Sequence, residues 1–293
     1  MSVCQMCPRK CGADRANGEA GYCGVGATVR IARAALHMWE EPVISGTRGS
    51  GTIFFAGCNL RCVFCQNYEV SHGGKGRELT TRELGERMLA LQQQGAHNIN
   101  LVTPTHYASQ IIETLRRIRS KLYIPVVYNC GGYESVETID ALKGLVDVYM
   151  PDMKYFSPQL SREYSGAEDY FEVARAALIR MVEQVGKPQL SEKGMLTRGV
   201  LVRHLVLPGC RKDSIALLGA LSEAVGTQDI LLSLMSQYTP EFVPDDCPYD
   251  NLKRRITSLE YESVVSEMQR LGFDGFIQSR TSATPDYTPK FEG

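Results

Sequence analysis

The sequence predicts an α/β protein: an open, partial (β/α)6 parallel barrel preceded by a cysteine-rich segment. Three observations lead there. After residue 50, short β-branched runs alternate strictly with amphipathic stretches of helical period. Such alternation implies right-handed crossovers, hence a parallel sheet with helices outside it. It yields six full strand–helix units and one short extra strand, whereas eight units would close a complete barrel. Residues 1–40 show no such alternation, and they carry Cys4, Cys7, Cys11 and Cys23. The chain is therefore divided into a metal-binding segment, 1–40, and a barrel, 41–293.

The elements follow in order. The run "GTIFFAG" (51–57) is the first strand and leads directly into Cys58, Cys62 and Cys65. The helix "TTRELGERMLALQQQGA" has Thr80 and Glu83 in capping-box spacing and Gly95 near its end. "NINLVT" is a strand, "SQIIETLRRIRSK" a helix capped by Ser109, and "IPVVYN" a strand. "SVETIDALKGL" is helical and "VDVYMP" extended; "DYFEVARAALIRMVEQVG" is helical up to Gly186, and "GVLVRHLVL" is a long strand. The helix "DSIALLGALSEAVG", the strand "DILLSLM", the helix "SLEYESVVSEMQRLG" and the strand "GFIQ" complete the pattern. Polar residues gather near the carboxyl ends of successive strands, where parallel α/β folds place their sites.

Composition narrows the function. The 293 residues are 43% hydrophobic and 22% charged, with no low-complexity tract, as in an ordinary folded protein. No apolar run suits a transmembrane helix and the amino terminus lacks a signal-peptide core, so the expectation is a cytoplasmic protein without a membrane partner. A net charge of -1 provides no field for a polyanion, which argues against nucleic acid. Ten cysteines in such a chain point to metal rather than to a disulfide framework.

A structural zinc site wants four closed ligands, but the loop at 58–65 offers three cysteines. Iron–sulfur clusters are also held by thiolates, usually four, so three leave one iron open for chemistry. The spacing CxxxCxxC, with Phe64 directly before the third cysteine and the loop leaving the first strand of a partial barrel, resembles the radical S-adenosylmethionine (SAM) superfamily. The resemblance spans residues 50–280. More narrowly, "CxxCPRxCG", "GCNLRCVFCQN", "PDMKY", "RHLVLPG" and "SLMSQYTP" are similar to an uncharacterised group related to pyruvate formate-lyase activating enzyme.

That resemblance implies an anaerobic oxidoreductase holding a 4Fe-4S cluster on Cys58, Cys62 and Cys65. SAM would chelate the open iron and be cleaved reductively to methionine and a 5'-deoxyadenosyl radical, which abstracts a hydrogen atom. A dry, enclosed site would protect that radical. An electron donor such as flavodoxin or ferredoxin is implied, and by analogy a protein glycine as substrate. A small molecule or ribosomal peptide is the alternative substrate. A non-catalytic iron–sulfur or zinc interaction module is the alternative from another class.

The resemblance also implies a cofactor-binding set. The family's Gly-Gly-Glu stretch at the end of the second strand is replaced by Thr103, Pro104, Thr105 and His106, of which Thr105 and His106 can still supply acceptors. Met150, Asp152 and Lys154 match a Met-x-Asp-x-Lys arrangement that holds SAM's carboxylate and, in some relatives, a monovalent cation. Asn129 and Cys130 are their neighbours. Arg203 matches a SAM contact, while strand alternation turns His204 to the opposite face. Gln237, with Tyr238, falls where the adenine edge is read. Cys130 and Cys210 stand alone, and a free cysteine is more often a small buried hydrophobe. Cys4, Cys7, Cys11 and Cys23 form a second metal site for either structural zinc or an auxiliary 4Fe-4S cluster.

Overall fold

A computed structural model describes residues 4–72, 74–279 and 291 of the chain. Its ten strands are β1 (Val29–His37), β2 (Ser50–Phe55), β3 (Arg77–Leu79), β4 (Ile99–Val102), β5 (Val126–Cys130), β6 (Val148–Pro151), β7 (Gln189–Leu190), β8 (Leu196–Leu205), β9 (Leu231–Met235) and β10 (Gly275–Ile277). Among the described residues the nine α-helices are α1 (Pro42–Ser45), α2 (Tyr68–Ser71), α3 (Thr81–Gln93), α4 (Ala108–Ile118), α5 (Val136–Ala141), α6 (Pro158–Ser165), α7 (Tyr170–Val185), α8 (Arg211–Ala224) and α9 (Ser258–Leu271). The strands β2, β4, β5, β6, β8, β9 and β10 lie side by side and parallel, so the alternating period produces the expected partial barrel.

The barrel is open at both edges. One edge is β10. At the other, β1 runs antiparallel to β2 and β3 antiparallel to β1. The sequence pattern predicts no strand before residue 50, because "VRIARAALH" shows no clean alternation. Pairing with β2 along Ile31–His37 is what makes it a strand. Inside the barrel, Val127, Val148, Met150 and Leu201 pack against Val43 and Ile44 of α1, which plugs the floor. The larger core lies between the sheet and the outer helices.

Local signals behave as their chemistry requires, with one exception. Thr80 accepts from the Glu83 amide at 3.2 Å and the Thr80 amide donates to Glu83 at 2.8 Å, closing the capping box of α3. Gly186 ends α7 at a φ of 70°. Ser109, expected as a cap, lies within the first turn of α4, and its hydroxyl donates to Gln110 at 2.8 Å. A one-turn 3-10 helix, Thr105–Tyr107, runs directly into α4, whose N-cap residue Tyr107 makes no side-chain capping hydrogen bond. No described helix is long and apolar enough to cross a membrane.

Candidate active site

The carboxyl end of β2 runs into the cysteine loop. Cys58, Cys62 and Cys65 all line a cavity of about 190 Å³ at the barrel mouth. Each sulfur has a nearby donor: the Leu60 amide at 3.3 Å from Cys58, the Ser165 hydroxyl at 3.0 Å from Cys62, and the Ser71 hydroxyl at 3.3 Å from Cys65. Phe64 packs edge-on to Tyr155, Tyr164 and Tyr238, an aromatic wall that fixes the loop. Burial, with the neighbouring thiols, pushes the Cys58 thiol up to about 12. Metal binding here would therefore release protons.

Facing the thiols is a charged network. Asp152 accepts from Arg203 Nε at 2.8 Å on one oxygen and from Lys154 Nζ at 2.6 Å on the other. Arg203 also donates to Asn129 Oδ1 at 2.7 Å and to Glu40 Oε2 at 3.2 Å. Burial alone would raise the Asp152 carboxyl, but the Arg203 and Lys154 charges outweigh it and hold the group below its usual range. Tyr170 staples the strand ends beneath, its hydroxyl lying 2.7 Å from the Asp152 carbonyl and 2.8 Å from that of Gly131.

The structure thus brings together most of the expected set: Asn129, Asp152, Lys154, Arg203 and Gln237 line the thiol cavity with Cys130 and Tyr238. Three expected residues stand apart from it. Thr105 is buried and donates to Glu134 at 2.5 Å. The His106 ring is buried with Nε2 2.7 Å from the Ala56 carbonyl, and burial lowers its pKa to about 4, so it is neutral. Met150 is part of the barrel floor, on the same strand face as Asp152 but one step deeper. His204 behaves as alternation requires: it turns outward, is buried, and lies 2.7 Å from the Met153 carbonyl.

Thr103, not Thr105 or His106, is the residue of this loop that reaches the cavity. Its φ of 58° is left-handed, where a β-branched residue is strained. Replacing Thr103 with glycine is expected to raise stability by about 1 kcal/mol net of glycine's chain-entropy cost, a gain of a few degrees in Tm. A lower Tm would mean that the threonine side chain makes a compensating contact.

The amino-terminal cysteines dock beside this loop. Arg9 donates to the Asn59 carbonyl at 2.7 Å and to the Ser165 carbonyl at 2.6 Å, and it stacks over Tyr22 at 4.1 Å. Arg15 is buried and donates to the His106 carbonyl at 2.7 Å. The Cys58 amide donates to the Cys23 carbonyl at 3.3 Å, and Gly57, at a φ of 85°, leaves room for that carbonyl where any Cβ would strike it. At Gly21 a Cβ would sit 3.2 Å from the Cys11 sulfur and 3.5 Å from that of Cys23, so glycine lets those two thiols converge. Among the described residues, no three or more His, Cys, Asp or Glu side chains are arranged to hold a metal ion as they stand.

A second, wider cavity of about 420 Å³ opens next to the first and shares Gln66, Asn67, Asn129, Arg203 and Gln237 with it. Its own wall includes Trp39, Glu40, Glu41 and Ser233. Sequence reading missed Glu40 and Glu41 entirely. Their only signal is a pair of carboxylates before Pro42, which resembles an ordinary helix start.

Comparison with known proteins matches these features. Residues 52–196 match the family model of the radical SAM superfamily. The uncharacterized protein MJ0674 of Methanocaldococcus jannaschii is 27% identical over 283 residues, covering 92% of this chain and 75% of that protein. Among solved structures, SuiB of Streptococcus suis bound to precursor peptide SuiA superposes with a TM-score of 0.53 at 13% identity. The match covers 80% of this chain and 51% of SuiB, so the chain spans about half that protein's length. Spore photoproduct lyase superposes with a TM-score of 0.52 at 11% identity, covering 80% of this chain and 78% of that one. At such identities these structures share the fold.

Proposed function

Because the chain belongs to the radical SAM superfamily, we propose that it is an enzyme whose 58–65 loop holds a 4Fe-4S cluster and whose charged network holds SAM. The carrying observation is the juxtaposition, in one cavity, of three thiols with Asn129, Asp152, Lys154 and Arg203. When bound, the cluster and SAM would supply one-electron reductive cleavage of SAM for hydrogen-atom abstraction.

This chain's own residues do the rest. Lys154 and Arg203 present positive charge to SAM's carboxylate, and Asp152, clamped between them, keeps both oriented. Gln237 offers an amide at the cavity edge for the adenine. The aromatic wall around Phe64 and the plugged barrel floor exclude water from the reacting atoms. Cys4, Cys7, Cys11 and Cys23 form a second metal-binding group, zinc or iron–sulfur, docked on the cluster loop through Arg9 and Cys23.

A protein glycine is the hydrogen donor that the activase resemblance implies. A ribosomal peptide is the second reading, since SuiB, which shares this barrel, is bound to a precursor peptide. The founding test is direct. Protein reconstituted anaerobically with iron and sulfide, then reduced, should release methionine and 5'-deoxyadenosine from SAM in equal amounts. A reduced, cluster-loaded protein that leaves SAM intact, with and without a flavodoxin or ferredoxin donor, would overturn the proposal.

A further inference from the structure

The wide chamber has an unbalanced charge. Among the charged side chains lining the two cavities, three carboxylates (Glu40, Glu41 and Asp152) face two cations, Lys154 and Arg203. Asp152 takes both cations, and Glu40 takes the remaining edge of Arg203 and the Asn100 amide at 3.1 Å. Glu41 is left over. It meets Ser233, but its Oε2 is shut off from water and receives no hydrogen bond. The Asn67 Oδ1, on the wall common to both chambers, is likewise buried and without a donor. Burial, opposed by Arg203, pushes both Glu40 and Glu41 above the ordinary carboxylate range.

These carboxylates are held in place by the fold. The Glu40 amide donates to Ser45 Oγ at 3.0 Å, and the same hydroxyl donates to the His37 carbonyl at 3.1 Å. Glu41 is the residue before Pro42, and α1 is anchored by Val43 and Ile44 in the barrel floor. The backbone that carries both carboxylates is thereby fixed at the chamber wall. The chamber is therefore short of hydrogen-bond donors and of one positive charge. An anionic or purely apolar occupant would leave Glu41 unsatisfied at a cost and a neutral donor would leave its charge uncompensated, whereas an ammonium or guanidinium group brings both donors and charge.

We infer that the wide chamber is the substrate site and that it binds a cationic amine or guanidinium group of the substrate against Glu41, beside the SAM cavity. The inference rests on the radical SAM reading for what the neighbouring cavity holds. The cation comes either from a lysine or arginine side chain of a peptide or from a free small-molecule amine. The two share the same recognition chemistry, while the apolar surface of Trp39 and Phe276 suits the alkyl stem of either.

The test uses cluster-loaded protein saturated with SAM, probed by calorimetry and ligand-detected NMR. The probes are Gly-Lys-Gly and Gly-Arg-Gly with capped ends, n-pentylamine, and the neutral counterparts Gly-norleucine-Gly and n-hexanol. Cationic probes should bind at least about tenfold more tightly than their neutral counterparts, and Glu41→Gln should erase the difference without changing SAM affinity. Tighter binding by the tripeptides identifies a peptide source; tighter binding by pentylamine identifies a free amine. Glu41→Asp retains the charge with a shorter reach and should weaken the cationic probes severalfold, which keeps the test valid if the glutamine variant folds poorly. The inference is overturned if no probe binds, if neutral probes bind equally well, if selectivity survives Glu41→Gln, or if cations bind only by displacing SAM. Failure of the radical SAM reading appears separately, as wild-type protein that does not cleave SAM.

Discussion

Replacing any one of Cys58, Cys62 or Cys65 with alanine is expected to abolish SAM cleavage and to remove the barrel cluster, about four irons per chain. All three sulfurs face one cavity, each with its own hydrogen-bond donors beside it. The nearest unused thiol lining that cavity is Cys130, which belongs to β5 rather than to the loop and is deeply buried. The amino-terminal cysteines provide an internal control. In the triple Cys58/Cys62/Cys65 variant, metal analysis should still find about one zinc or a residual set of irons, held by Cys4, Cys7, Cys11 and Cys23. Retained cleavage in any single variant would sink the cluster assignment. A metal-free triple variant would show that the leading cysteines do not bind metal on their own.

Arg203→Ala should produce the largest effect outside the cysteines, and it should act on both stability and binding. Arg203 satisfies Asp152, Asn129 and Glu40 at once, and its side chain is 17% exposed. Removing it leaves Asp152 with Lys154 alone and Glu40 with only the Asn100 amide, and breaking a buried pair costs about 3–5 kcal/mol, toward the lower end for groups not fully enclosed. SAM affinity should fall by about ten- to a hundredfold, the equivalent of one lost charge-assisted hydrogen bond at roughly 1.5–3 kcal/mol. Asp152→Asn and Lys154→Ala should lower SAM affinity in the same direction, with cluster content intact. Denaturant unfolding separates the stability loss, and fluorescence titration of cluster-loaded protein measures the affinity. If Arg203→Ala, Asp152→Asn and Lys154→Ala all bind SAM like the parent, the network is a structural ion cluster and the cofactor lies elsewhere.

What the sequence determined by itself was periodic or contiguous. Alternating periods of two and about 3.6 residues mark the seven parallel strands and the helices between them, because burial on one face leaves a repeat along the chain. The capping box at Thr80 and Glu83 and the spacing of Cys58, Cys62 and Cys65 are legible because the groups that interact lie within a turn or a loop of each other. Alternation along β8 likewise separated inward Arg203 from outward His204. Tertiary structure alone decided which groups meet from distant stretches. Alternation placed Met150 and Asp152 on one face but could not tell floor from cavity, since depth depends on what α1 inserts below. Thr105 and His106 were displaced from the cavity by a 3-10 turn that the pattern of apolar residues does not encode. Strand β1 exists through its pairing with β2, and Arg9 bonds across to Asn59 and Ser165. Glu40 meets Arg203 across 163 residues of chain. No local rule relates two such charges; their contact is set by the barrel, which brings the segment before α1 back over its own open side.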